Sequence, residues 1–94
     1  MRKTVAMSAL MKGMPDFDAD DNLEGAAAEL CAALWQLAAQ RICDGSEVDP
    51  QRAVIAARER AYAQGAGAAI YGQGVVDGCA EYIRFTFAQA VESS

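Results

Sequence analysis

The densest set of potential ligands in the sequence is the run Asp16-Phe17-Asp18-Ala19-Asp20-Asp21-Asn22. Calcium loops place oxygen-bearing side chains at alternate positions and close on a glutamate. Asp18, Asp20 and Asn22 fit the first, third and fifth positions of such a loop and Glu29 its last. The position that must turn the chain on a glycine is Leu23, however, and Glu29 already belongs to a helical pattern. The run therefore reads as a solvated linker and helix cap, and no metal site is expected.

Soft-ligand and nucleophile chemistry is similarly short of partners. Structural zinc takes about four Cys or His ligands, and this chain has 3 cysteines and 0 histidines. Cys31 and Cys79 fall on apolar helical faces as small core residues, while Cys43, at a helix end, is the thiol placed to react. Without histidine the commonest general base is missing. Asp77 and Glu81, one helical turn apart, form a carboxylate pair that reads as solvated surface charge, because no convergent polar groups accompany it. Gly65-Ala66-Gly67-Ala68-Ala69-Ile70 shares two glycines with a dinucleotide-binding loop but lacks the third glycine and the preceding strand. The expectation is a chain with no catalytic residue and no cofactor.

Binding surfaces are the remaining possibility. With 8 Lys and Arg against 13 Asp and Glu, the net charge is -5, which opposes direct binding to nucleic-acid phosphates. Arg52, Arg58 and Arg60 form the one basic cluster, and they would carry the alternative reading of a small dimeric nucleic-acid-associated regulator. Trp35, placed at the margin of an apolar arc, together with Tyr62, Tyr71 and Tyr82, marks a candidate partner surface. The acidic residues Asp18, Asp20 and Asp21 extend it.

Helices must position all of these. Asp21 and Glu24 have the spacing of a reciprocal capping box, and they predict a helix over about 22–43. Its apolar face has two stripes: Leu23, Ala27, Leu30, Leu34 and Leu37, then Cys31, Trp35, Ala38 and Ile42. Arg41 in the last turn and Asp44-Gly45 supply the stop. Asp49-Pro50 opens a second helix over about 50–71, with proline where its missing amide costs nothing. Val54, Ile55, Ala61 and Tyr62 lie on its apolar side. Ala57, Ala61, Gly65 and Ala69 recur every four residues as a face for close helix packing or dimerisation. Tyr71-Gly72-Gln73-Gly74 breaks the pattern before a third helix over about 74–92, whose apolar face comprises Val75, Val76, Cys79, Tyr82, Ile83, Thr86, Phe87 and Ala90. The segment Thr4 to Met11 fits a short helix and an edge strand equally well.

The 94 residues, 53% hydrophobic, suit one domain of the all-α class, a small bundle of three main helices with an N-terminal segment and acidic linker over 1–21. No export signal or membrane-spanning run is legible, and unpaired cysteines fit the cytoplasm. The functional expectation is a non-catalytic interaction module that regulates or inhibits a larger protein. Its sharper form is an inhibitor, of the kind phages or mobile elements use, that competes for a nucleic-acid-binding surface. A homodimer, or a ligand carrier or enzyme with a pocket between helices, stands beside it.

Overall fold

The computed structural model describes residues 5–64 and 72–94. Among the described residues, four α-helices and one 3₁₀ turn run in the order α1 (Met7–Lys12), the turn (Phe17–Ala19), α2 (Ala27–Cys43), α3 (Pro50–Gln64) and α4 (Gln73–Glu92). The chain is all-helical, as expected. Helices α2, α3 and α4 pack pairwise on one another, and α1 and the 3₁₀ turn lie against α2. From Met7 to Lys12 the N-terminal segment is thus helical, and Leu10, the one buried residue of α1, is fully enclosed.

Helix α2 starts later than the capping pattern implies. Its N-cap is Ala26, without a side-chain cap, and the Asp21–Glu24 box does not form. Two local features override it. The Asp20 carboxylate accepts the Asn22 amide at 2.9 Å, and the Leu23 amide returns to the Asp20 carbonyl at 3.1 Å, so the chain is already committed to a turn. Gly25 then adopts φ 59°, a left-handed conformation that ends one turn before the helix begins. The other boundaries match their signals. The amides of Asp44 and Gly45 return to the Gln40 and Ile42 carbonyls. Asp49 caps α3 through its carboxylate on the Gln51 amide at 2.9 Å, and α3 begins at Pro50.

Gly72 precedes α4 at φ 83° and ψ 157°, a region open essentially to glycine alone, which accounts for the break read at 71–74. The expected second half of the preceding helix, 65–71, lies outside the described residues.

The buried faces are rotated relative to the sequence pattern. Helix α3 buries Ala53, Val54, Ala57 and Ala61, while Ile55 is 47% exposed. Helix α4 buries Val76, Cys79, Ala80, Ile83, Phe87 and Ala88 and leaves Val75, Tyr82 and Thr86 outside. Trp35 is also misplaced by the wheel. It has 0% exposure, sits edge-on to Phe87 with centroids 5.0 Å apart, and meets Phe17 at 6.2 Å. Its indole N–H donates to the Leu10 carbonyl at 3.0 Å. α1, the 3₁₀ turn, α2 and α4 therefore converge on one side chain.

Trp35→Phe removes the donor, leaves a buried carbonyl unpaired and opens a small void, so unfolding free energy should fall by about 2–4 kcal/mol. Urea denaturation followed by circular dichroism measures it; a change below about 0.5 kcal/mol would refute the role given to the indole.

Candidate functional site

The residues singled out from the sequence do not form one surface. Trp35 has no exposed area to offer a partner, and its assignment to an interface is corrected to the centre of the core. Tyr62 is half-buried and donates its hydroxyl to the Asp77 carboxylate, which also lies 3.9 Å from the Arg58 guanidinium, so both side chains join α3 to α4. Tyr82 is exposed on the opposite flank of α4 and donates to the Asp20 carboxylate. Asp18 and Asp21 are exposed. Ala57 and Ala61 are buried on the inner face of α3, whereas Tyr71, Gly65 and Ala69 lie outside the described residues.

Two members of the arginine cluster, Arg52 and Arg58, are paired with carboxylates. Arg52 lies 3.9 Å from Asp49, and Arg58 lies 3.0 Å from Glu59 in addition to its contact with Asp77. Arg84 lies 3.3 Å from Glu81 and stacks 4.6 Å above the Phe85 ring. Between α3 and α4, Arg58, Asp77, Glu81 and Arg84 line a groove of about 100 Å³, below the roughly 300 Å³ of a small-molecule site.

A different region concentrates unpaired charge. From Gly13 to Gln40 the sequence carries Asp16, Asp18, Asp20, Asp21, Glu24 and Glu29 and no Lys or Arg. The fold bends this stretch into a cleft of about 390 Å³ between the 3₁₀ turn and the first turns of α2. Met14, Pro15 and Phe17 form one apolar wall and Ala28 and Ala32 the other, with Asp16, Asp18 and Glu29 around them. All three acids are exposed. The ion pairs found among the described residues all involve α3, its cap or α4, and none includes these three.

Phe17, 6% exposed, fixes the turn by packing on Trp35. Sequence reading passed over Asp16, Phe17 and Glu29 as a partner surface. The available signal was an aromatic between two aspartates followed by Ala28, Glu29 and Ala32, which share one side of a helix.

Asp20 has another task. The Tyr82 hydroxyl, and then the Asn22 amide, hold its carboxyl below the ordinary 3.8. In return, the hydrogen bond to Asp20 raises the Tyr82 hydroxyl above its ordinary 10.0. The acidic stretch is thereby tied to α4 and does not present the alternating free oxygens of a calcium loop. Cys43 is pushed up, by burial first and by Asp44 second, which damps the reactivity expected of it.

Comparison of the chain with family models, with curated proteins and with solved structures gave no match. Among the described residues, no helix is long and apolar enough to cross a membrane.

A carboxyl whose folded value is depressed adds stability above its unfolded value, and that stability is lost as pH falls through the folded one. Tyr82→Phe should therefore lower Tm at neutral pH, and the gap to wild type should close on acidification below about pH 4. Thermal melts from pH 2.5 to 7 read this. A gap that stays constant would mean that the Asp20–Tyr82 contact does not carry the effect.

Proposed function

We propose that this chain is a non-catalytic interaction module that regulates a larger protein by docking its acidic edge on a basic surface of that partner. The observation that carries the reading is the cleft between the 3₁₀ turn and α2, which combines an apolar lining with three carboxylates lacking ion-pair partners among the described residues. Lysine and arginine suit such a shape, since their stems lie on apolar surface while the charged head reaches a carboxylate. Uncompensated like charge also steers a basic partner towards this edge and speeds encounter.

Basic protein surfaces are commonly those that bind nucleic-acid phosphates. An inhibitor that occupies a partner's nucleic-acid groove is the specific form of the proposal. Phage and mobile-element inhibitors supply the analogy, which rests on size and charge. The alternative based on Arg52, Arg58 and Arg60 draws less support, since Arg52 and Arg58 already face carboxylates.

The test is affinity capture from the native host in the presence of nuclease, comparing wild type with the triple variant Asp16→Asn, Asp18→Asn, Glu29→Gln. These exposed substitutions leave the core intact, so the variant should fold and lose partner affinity roughly tenfold or more, with the wild-type interaction weakening as salt rises. Equal capture of the same protein by both forms would exclude the acidic edge. Retention of nucleic acid rather than protein would favour the arginine reading.

A further inference from the structure

Two of the three thiols come together in the interior. Cys31 on α2 is fully buried and Cys79 on α4 is 4% exposed. The Cys79 thiol lies 3.6 Å from the Ala27 carbonyl, to which it donates. Ala27 stands one helical turn before Cys31, and a helical side chain leans over the turn that precedes it. Cys31 and Cys79 consequently come together across the α2–α4 seam, in the same buried cluster. Neither lines the acidic cleft.

We propose that Cys31 and Cys79 form a dithiol site which a hydroperoxide converts into a disulfide, tethering α2 to α4 through the core. The pair is chemically unequal. The neighbouring Cys79 thiol, and then burial, push the Cys31 thiol up, while the proximity of Cys31 lowers Cys79. Cys79 is therefore the attacking sulfur. Its thiolate cleaves the O–O bond of the peroxide and becomes a sulfenic acid, with the other oxygen leaving as alcohol or water once protonated. Cys31 then attacks that sulfur, the S–O bond breaks, and a second water leaves with the Cys31 proton. Two thiols supply the two electrons that reduce one O–O bond.

Burial sets the conditions for the reaction. The thiols meet oxidant when the α2–α4 seam opens locally, so the rate follows that opening. Closing a disulfide across the long chain segment between residues 31 and 79 restricts the unfolded chain and favours the folded state. Cys43 stands apart, twelve residues or about 18 Å along α2 from Cys31.

The experiment treats the full wild-type chain with hydrogen peroxide, then alkylates it under denaturing conditions and maps the peptides by mass. The proposal requires a monomer lighter by about 2 Da before alkylation, a 31–79 linked peptide and alkylation at Cys43. Tm should rise on the order of 10 °C and return after treatment with a dithiol reductant. Alkylation of Cys31 and Cys79 after oxidation, a bridge that includes Cys43, or a disulfide between chains would each overturn it. Cys31→Ser keeps a small polar side chain beside Cys79 and must abolish the mass loss. The wild-type peptide map decides the question even if that variant does not fold.

Discussion

The indole of Trp35 is the constraint on which the arrangement of this chain most depends. A bundle of three helices whose facing residues are mainly alanine, valine and small aliphatics has little volume with which to hold a fourth element. One large side chain supplies it. Trp35 packs its edge against Phe87 of α4 and Phe17 of the 3₁₀ turn, and its single polar atom reaches back to the Leu10 carbonyl of α1. The last contact matters disproportionately, because a six-residue helix has little stability of its own and α1 buries just Leu10. The hydrogen bond and that leucine, with Met7 and Met11 packed half-buried on the core, hold α1 to the bundle.

The helices themselves were legible from the sequence wherever the signals were local and chemically strong. Asp49-Pro50 opened α3 and Asp44-Gly45 ended α2, since a side-chain cap, a proline and a glycine act through their nearest neighbours. The capping box at Asp21 and Glu24 had equally good spacing and failed. The chain between its two residues was already committed to a turn by the Asn22 amide on the Asp20 carboxylate, and Asp20 was itself held by Tyr82 of α4, 62 residues away in sequence. A single sequence does not display that contact. Periodicity gave helix type reliably but placed the buried arc less well. Small residues weigh little on a helical wheel, yet Ala53 and Ala80 are buried while Ile55, Val75 and Tyr82 face outward.

The candidate site was hidden for a related reason. Asp16, Asp18 and Glu29 were visible as charges, but a cleft exists only when the chain doubles back, and the doubling is imposed by Phe17 inserting towards Trp35. The aromatic that lines the cleft is the aromatic that locks the core. This coupling gives the acidic edge a fixed geometry even though its backbone is a short 3₁₀ turn and a series of bends. A rigid, preorganised edge loses less conformational entropy on docking than a mobile acidic tail of equal charge.

Charge is also partitioned along the molecule. On α3 and α4, Arg52, Arg58, Arg60 and Arg84 balance Glu59, Asp77, Glu81 and Glu92, whereas the stretch from Gly13 to Gln40 carries six acids and no base. Solubility alone requires a net charge and not its separation. Self-repulsion among those six carboxylates works against folding the stretch tightly, and the fold offsets it at a single position, where Tyr82 and Asn22 stabilise the Asp20 carboxylate. Asp20 thus anchors the acidic segment to α4, which leaves its neighbours Asp16 and Asp18 extended into solvent beside Glu29. The separation follows from which carboxylates the core recruits and which it leaves outside, and it gives the surface an acidic pole without a buried ion among the described residues.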